Sequence, residues 1–340
     1  MRRHIRDIMN PALFHGAGKK APYFEGWYYK IVSADERARY AVIPGISLSP
    51  DPEDSHAFIQ VFDGLSGRTN YVRFGLEEFR ADRRSFNLRI GKNNFTADYL
   101  ELDISTPELS VSGRLEFSGL TLWPVTLHSP GIMGWYAWVP KMECFHGIVS
   151  LDHSIQGRLT IEATENDFTG GRGYTEKDWG RSFPRAWIWM QSNHFPSPGT
   201  SLTASLAIIP WIRRPFPGFI IGLTHNNHLY RFATYTGARV EHLELALDKI
   251  SWIISDRRYL LEITAGRTEG GRLHSPTTGG MTGRIQESLN SEVYVQMSEK
   301  RAGKRLPIFE GMGRNAGFEA SGDLDSLMNI WRRSNPGSSV

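Results

Sequence analysis

The chain has 340 residues, of which 40% are hydrophobic and 22% charged, with 39 Lys and Arg against 36 Asp and Glu. This composition excludes a disordered or collagen-like protein, and so small a surplus of positive charge gives little support to a nucleic-acid partner. The single cysteine, Cys144, excludes an internal disulfide and a cysteine-held metal centre. The sequence is that of an ordinary globular protein.

The first 20 residues are basic, with Arg2, Arg3, Arg6 and two lysines, but they lack the apolar run of a secretory signal. Nowhere does the sequence contain the run of about 20 apolar residues that a transmembrane helix requires. We treat residues 1–20 as an N-terminal extension and expect a cytoplasmic protein, at most peripheral to a membrane. Contact of the N-terminal arginines with anionic lipid would be transient.

Short segments rich in β-branched and aromatic residues recur along the chain and predict two series of strands, before and after Pro184. Turn dipeptides separate them, among them Ser66-Gly67, Gly170-Gly171 and Asn226-Asn227. The first series comprises residues 26–32, 40–46, 57–62, 69–74, 110–117, 144–149 and 157–162. The second comprises residues 186–193, 201–209, 219–224, 228–235, 239–247, 251–254, 258–264 and 291–297.

One helix is predicted over residues 323–333, because apolar residues recur there at spacings of three and four: Leu324, Leu327, Met328 and Trp331. The sequence therefore predicts an all-β fold of two antiparallel β-barrels side by side, with a short C-terminal helix. We place the first barrel at residues 21–183 and the second, with the helix, at residues 184–340. A barrel of about eight strands can hold one small ligand, which favours an apolar substrate.

The first candidate site lies in the stretch from Tyr23 to Lys30. In an extended strand Glu25, Trp27 and Tyr29 share one face. A carboxylate beside a Trp on an inward face would have its pKa raised, as an acid catalyst requires. The alternative is that Trp27 fills the interior of the barrel and Glu25 pairs with an arginine.

The second candidate site lies around Glu143 to His146. His146 shares a strand face with Cys144, where a histidine serves either as a base or as a hydrogen-bonded core residue. Cys144 would need an electropositive setting to act as a nucleophile, which the sequence does not indicate.

The third stretch runs from Gly171 to Pro184 and is dense in reactive side chains, with Tyr174, Glu176, Asp178 and Trp179. The functional interpretation is a catalytic carboxylate beside aromatic rings. The alternative is that Glu176, Lys177 and Asp178 form a surface ion-pair turn between the two barrels.

The strand after Pro184 places Trp187, Trp189, Gln191 and Asn193 on one face. Buried amides need hydrogen-bond partners, so this face predicts a pocket wall rather than a plain core.

Farther on, His225 and His228 resemble a metal pair, but the Asn-Asn between them predicts a hairpin turn without a metal. Motifs for nucleotide binding, serine hydrolases and zinc proteases are absent from the sequence, so we expect neither metal nor cofactor.

Taken together, four motifs resemble the tocopherol cyclase family: residues 24–30, 142–147, 152–153 and 173–184, with a looser continuation at residues 311–317. The resemblance implies two lipocalin-like β-barrels, distantly related to carotenoid hydratases and to fungal Diels–Alder cyclases of decalin biosynthesis. It also implies closure of a chromanol ring from a prenylated hydroquinone without metal or nucleotide. The Ile43-Pro44-Gly45-Ile46 stretch resembles the bacterial branch of the family, and we expect no plastid-targeting extension because the first motif begins soon after Met1.

Ring closure of this kind needs a proton donor, stabilisation of a tertiary cation, and a group that orients the phenol. We rank Asp178 first as the acid, ahead of Glu25 and Glu176. Indole faces could stabilise the cation, and amides or a tyrosine could orient the phenol. The predicted substrate-binding residues are Trp27, Tyr29, Glu143, His146, Tyr174, Trp179, Trp187, Trp189, Gln191 and Asn193.

Two alternatives to a cyclase remain open from the sequence. A non-catalytic lipocalin-like carrier of a hydrophobic ligand would use the same aromatic cavity but needs no acid. A hydratase or another ring-forming enzyme on an isoprenoid would share the acid but differ in whether water reaches the cation. A buried carboxylate without an arginine partner would favour an enzyme over a carrier.

Overall fold

A computed structural model describes residues 2–140, 142–211 and 214–335. Contacts divide the chain into two compact units, residues 1–183 with 271–285 and residues 184–270 with 286–340. The return of residues 271–285 to the first unit differs from the predicted boundary at residue 184, and no local pattern in the sequence indicates it. In the described part of the chain, no helix is long and apolar enough to cross a membrane.

The first sheet has twelve strands among the described residues, all paired antiparallel. They are β1 (Tyr23–Val32), β2 (Arg39–Leu48), β3 (His56–Asp63), β4 (Thr69–Phe74), β5 (Phe79–Ala81), β6 (Asn87–Ile90), β7 (Asn93–Thr96), β8 (Tyr99–Ser105), β9 (Ser110–Ser118), β10 (Cys144–Ile161), β11 (Thr164–Asp167) and β12 (Arg172–Gly180). Their order is β4-β3-β2-β1-β12-β10-β9-β8-β7-β6-β5, with β11 beside β10. The first and last long strands, β1 and β12, are therefore neighbours at the centre.

The second sheet has ten strands among the described residues, also antiparallel. They are β13 (Ala186–Ser192), β14 (Ser201–Ile209), β15 (Phe216–His225), β16 (His228–Ala233), β17 (Arg239–Leu245), β18 (Lys249–Ser255), β19 (Tyr259–Gly266), β20 (Gly271–Thr277), β21 (Gly280–Arg301) and β22 (Lys304–Gly322). Their order is β16-β15-β14-β13-β22-β21-β19-β18-β17, with β20 paired to β21. The hairpin of β20 and the start of β21 packs on β3 and β4 within the first unit.

Two helices flank the sheets in sequence, α1 (Arg2–Ile8) and α2 (Leu324–Ser334), and short 3₁₀ turns occur at Pro52–Asp54, Leu76–Glu78, Gly134–Trp138 and Thr234–Thr236. The predicted C-terminal helix is confirmed. Its N-cap is Asp323, whose carboxylate accepts the backbone N–H of Ser326 at 3.0 Å. Leu327, Met328 and Trp331 are the buried residues of α2, as their spacing predicts.

Alternation of side chains explains how each sheet buries one face. In β9 the burial pattern alternates, with Val111, Leu115 and Phe117 in the core of the first unit. The Asn226-Asn227 turn between β15 and β16 is also confirmed, because both asparagines have the positive φ of a tight hairpin. The all-β prediction, with two antiparallel sheets and a short C-terminal helix, is confirmed.

Candidate functional site

Three adjacent strands, β1, β12 and β10, carry most of the predicted site residues, on two opposite faces. Trp27 is paired across β1 and β12 with Lys177, and the next pair is Tyr28 with Glu176. Because successive residues of a strand point to opposite sides, the two pairs lie on different faces. We call the face with Glu25, Trp27, Tyr29, Lys177 and Trp179 the core face. The opposite face, with Tyr174, Glu176, Asp178 and His146, is the triad face.

On the core face, the carboxylate of Glu25 is fully buried and lies 2.5 Å from the Nζ of Lys177. The Tyr23 hydroxyl donates to it at 2.6 Å, and the backbone N–H of His15 donates at 2.8 Å. Burial alone would raise the pKa of Glu25, but the charge of Lys177 and the hydrogen bond of His15 outweigh it and lower the pKa to about 2. The predicted direction of this pKa shift is therefore wrong.

The N-terminal segment covers Lys177 on this face. Its ammonium group donates to the backbone carbonyls of Leu13 and, at 3.2 Å, Pro11, and lies 2.8 Å from the Nδ1 of His15. Burial lowers the pKa of Lys177 to about 8, although the charge of Glu25 acts in the opposite direction. The Glu25–Lys177 pair is therefore covered by residues of the predicted N-terminal extension.

The predicted aromatic residues of the core face are packed. Trp27 and Tyr29 are fully buried in the core of the first unit. The Trp27 indole N–H donates to the carbonyl of Ala12 at 3.1 Å, and the Tyr29 hydroxyl donates to the carbonyl of Thr96 at 2.7 Å. The Trp179 ring is stacked between His15 and Phe145. The alternative in which Trp27 fills the interior fits this arrangement, with a lysine in place of the expected arginine.

On the triad face, three titratable side chains meet. The Nδ1 of His146 lies 2.9 Å from a carboxylate oxygen of Asp178, and its Nε2 lies 3.5 Å from a carboxylate oxygen of Glu176. The Tyr174 hydroxyl donates to the same oxygen of Glu176. Glu176 is buried, whereas the side chain of Asp178 is 26% exposed, so the triad is accessible from the Asp178 side.

The charges of the two carboxylates set the protonation of the histidine. Burial alone would lower the pKa of His146, but Glu176 and Asp178 outweigh it and raise the pKa to about 9. The imidazole is therefore a cation at neutral pH. Its Nε2 is buried without a hydrogen-bond partner within the described ranges, since Glu176 lies beyond good hydrogen-bonding distance.

Two glycines lie on the strands that follow Asp178 across the sheet. The partner of Asp178 on β1 is Gly26, which in turn pairs with Gly45 on β2. A Cβ on Gly45 would lie 2.4 Å from the ring of Phe58, so this ring needs a glycine beneath it. The Phe58 ring, which is buried, therefore packs over both glycines.

The interpretation of residues 176–178 as a surface ion-pair turn is wrong. All three lie in β12, and Lys177 is fully buried. The pleat of the strand sends Glu176 and Asp178 to one side and Lys177 to the other. Neighbouring charges in the sequence thus belong to two separate ion-pair networks.

Two further predicted groups lie near the triad. Burial raises the pKa of the Cys144 thiol well above its usual range, and the charges of Asp178, Glu143 and Glu176 add to the shift, so the sulfur is a thiol rather than a nucleophilic thiolate. Glu143 accepts a hydrogen bond from the Ser182 hydroxyl at 2.9 Å, which ties the loop after β12 to the start of β10.

The ligand atoms of His146, Glu176 and Asp178 lie within 4.8 Å of one another, which is close enough to hold a metal ion. Among the described residues, no other group of His, Cys, Asp and Glu side chains meets this condition. At neutral pH a metal would have to displace the proton of His146. We assign no metal here, and the expectation of a metal-free protein stays a prediction.

In the second unit, β13 places Trp187, Trp189 and Gln191 opposite its core residues, among them Ile188 and Met190, as alternation predicts. Asn193 follows the strand and is fully buried. That these residues line a pocket stays a prediction.

Two carboxylates on that face of the second unit are not among the predicted site residues. The Trp187 indole N–H donates to Glu319 at 2.6 Å. Glu319 is paired with Trp189 on one side and with the buried Glu287 on the other. Glu319 follows the motif at residues 311–317 closely, and this proximity could have drawn attention to it. Its position opposite Trp189 depends on the register of β22 with β13, which the sequence does not indicate.

A sequence model described as tocopherol cyclase-like matches residues 115–322. The probable chloroplastic tocopherol cyclase of Oryza sativa subsp. japonica is 27% identical over 380 aligned residues, which cover 91% of this chain and 77% of that protein. The chloroplastic tocopherol cyclase of Zea mays is 23% identical with the same coverage. The crystal structure of CghA with Sch210972 has a TM-score of 0.54 at 11% identity, covering 88% of this chain and 89% of CghA.

The resemblance drawn from the four motifs is confirmed by these comparisons, and the likeness to CghA shows a shared fold. The family match includes all three residues of the triad, whereas it begins after Glu25. It extends over well more than half of the sequence. This chain belongs to the tocopherol cyclase-like family.

Proposed function

We propose that this protein is an intramolecular cyclase that adds the phenol oxygen of a prenylated hydroquinone to an alkene of the same molecule, closing a chromanol-type ring. Family membership supports a cyclase-like enzyme, and the names of the plant relatives suggest the class of substrate. The observation that carries the proposal is the protonated imidazole of His146 held between the carboxylates of Asp178 and Glu176.

The reaction is an isomerisation, so the protons must balance. A proton is added to one alkene carbon, and the other carbon becomes a tertiary cation. The phenol oxygen forms a C–O bond to that cation and loses its own proton. The site therefore needs a group that holds a proton at neutral pH and a second group that accepts one.

The triad supplies both groups. In this proposal the Nε2 of His146 donates its proton to the alkene, while Asp178 holds the imidazole in place through Nδ1. Glu176, fixed by the Tyr174 hydroxyl, accepts the proton of the phenol. Transfer of that proton from Glu176 to Nε2, which are 3.5 Å apart, restores the starting state.

This assignment changes the ranking made from the sequence. Asp178 stays in the site, but as the partner that keeps His146 charged rather than as the free carboxylic acid. Glu25 leaves the site, because it is ionised, paired with Lys177 and on the opposite face. Trp27 and Trp179 lie on that same face, so Tyr174 is the predicted aromatic residue beside the triad. Roles for Trp187, Trp189, Gln191 and Asn193 in substrate binding stay predictions.

A carrier needs no group that holds and returns a proton. The accumulation of a cation and two carboxylates on one largely buried face costs desolvation energy, which a site for simple apolar binding would not require. A hydratase remains the nearest alternative, because the same acid could serve it, and product analysis separates the two.

The test is to incubate the purified protein with a prenylated hydroquinone in heavy water and to analyse the product by mass spectrometry. We expect an isomer of the substrate that carries one deuterium on carbon. A product heavier by one molecule of heavy water would identify a hydratase instead, and unchanged substrate that still binds tightly would favour a carrier.

The variant that isolates the proton donor is His146→Gln, which keeps a polar side chain but cannot carry the charge. We expect turnover to fall by about 100-fold or more, as for loss of a general acid. The matched control is Glu165→Gln, which removes an exposed carboxylate on β11 and should leave turnover unchanged. Equal turnover of His146→Gln and the wild type would contradict the assignment. A chelator should have no effect, which tests the expected absence of a metal.

A further inference from the structure

The connection between β9 and β10 exposes large apolar side chains. From Gly119 to Pro140 it contains no Asp, Glu, Lys or Arg. Leu122, Leu127 and Trp135 are 65%, 59% and 45% exposed. We call residues 119–140 the apolar loop. Single exposed leucines are common, but several on one uncharged segment mark an interaction surface.

The apolar loop has a defined structure. Val125 and Pro130 form a β-bridge, which makes a turn with Leu127 near its tip. The Trp138 indole N–H donates to the carbonyl of Leu127 at 3.1 Å, so the tip is tied to the 3₁₀ turn that contains Trp135. The rings of Trp135 and Tyr136 are stacked at 4.1 Å. Leucine and aromatic side chains are thus displayed together.

The segment that follows helix α1 lies against this loop. Pro11 packs on Gly131 of the loop and on Gly147 of β10. A Cβ added at Gly131 would lie 3.1 Å from the Pro11 ring, and one added at Gly147 would lie 2.8 Å from it. Helix α1 directly precedes this contact, and its sequence has three arginines and one aspartate. Its Ile5 and the side chain of Arg6 are each about 40% exposed.

We propose that the apolar loop, together with α1, docks on the surface of a lipid bilayer that contains anionic lipids. Leucine and tryptophan at the tip of an uncharged loop suit the region between headgroups and acyl chains. The sequence of α1 has three arginines against one aspartate, which is paired with Arg6, so this segment has a net positive charge that suits anionic headgroups. The occupant is therefore a membrane surface rather than a second protein chain.

The test is flotation of the full-length protein with vesicles of phosphatidylcholine alone or with about one third phosphatidylglycerol, at low salt. No substrate is present, so the result does not depend on the proposed function. We expect binding to the anionic vesicles and at least about tenfold less to the neutral ones.

The double variant Leu127→Glu/Trp135→Glu should lower the bound-to-free ratio on anionic vesicles at least about tenfold, because both changes place charge in the apolar region. The matched control is Leu247→Glu, which alters the most exposed apolar side chain, 96% exposed, in the second unit. Thermal unfolding checks that all variants are folded. Wild-type protein that fails to float, or a folded double variant that floats like the wild type, would overturn the proposal. Dimers lost in the double variant, without vesicle binding, would assign the loop to self-association instead.

Discussion

The core face and the triad face are built on the same three strands, and each pairs a cation with carboxylate, but they differ in access. Lys177 and Glu25 are sealed by the N-terminal segment, with both side chains fully buried. His146 and Asp178 are only partly covered. On the core face the cation is bound by backbone carbonyls, whereas on the triad face a nitrogen of the cation has no hydrogen-bond acceptor in the described structure. In the proposed function, similar ion pairs serve stability on one side of the sheet and chemistry on the other.

The largest expected effect is on stability, from breaking the core-face pair. Lys177→Met leaves the Glu25 carboxylate buried without its cation, which should cost about 3–5 kcal/mol in the free energy of unfolding. Urea denaturation measures it, with Arg158→Met as the control, because its ion pairs are exposed and contribute under about 1 kcal/mol. A loss below about 1 kcal/mol for Lys177→Met would contradict a structural role for the pair.

The next effect is on the pH dependence of turnover. The proposed acid must be protonated, so wild-type turnover should fall as the pH rises through about 9, the raised pKa of His146. Asp178→Asn removes one of the two charges that raise this pKa, so the fall should move to lower pH. Initial rates across the alkaline range measure it. A fall at the same pH in both proteins would show that another group limits the reaction.

The same histidine should contribute to stability with a defined sign. Its pKa is raised from about 6.5 in the unfolded chain to about 9, so the contribution is fully present below pH 6.5 and is lost as the pH rises through 9. The shift corresponds to roughly 3 kcal/mol. The difference in unfolding free energy between wild type and His146→Gln, followed by urea denaturation, should shrink over this range. A difference that stays constant with pH would contradict the raised pKa.

The smallest expected effects come from removing one tyrosine hydroxyl on each face. Tyr23 donates to Glu25 on the core face, and Tyr174 donates to Glu176 on the triad face. Tyr23→Phe should cost about 1 kcal/mol of stability and leave turnover unchanged, whereas Tyr174→Phe should lower turnover by roughly three- to tenfold. Unfolding and turnover measured on both variants test this. Equal effects of both variants on turnover would remove the distinction between the faces.

Local patterns were sufficient to predict much of the fold. The alternation in β13 and the spacing of apolar residues in α2 depend on neighbours in the chain, and both are confirmed. The burial of Lys177 could not be predicted in this way, because a Glu-Lys-Asp run is typical of a solvated turn. Its burial depends on partners more than 160 residues earlier in the chain.

The candidate site was predictable in its residues but not in their grouping. Glu176, Asp178 and His146 were all selected from motifs, yet only the pairing of β10 with β12 brings the histidine onto the carboxylates. Glu25 was selected by the same reasoning and lies on the opposite face. Its low pKa arises from His15 and Lys177, contacts that no spacing in the sequence indicates.

The most direct test of the central claim is turnover of Asp178→Asn and Glu25→Gln, one from each face, on the same prenylated hydroquinone in heavy water. We expect Asp178→Asn to lose at least about tenfold in deuterated product, because His146 loses the carboxylate that orients it and keeps it charged, while folded Glu25→Gln stays within about threefold of the wild type. Loss of turnover in Glu25→Gln with retention in Asp178→Asn would place the chemistry on the core face and contradict the account.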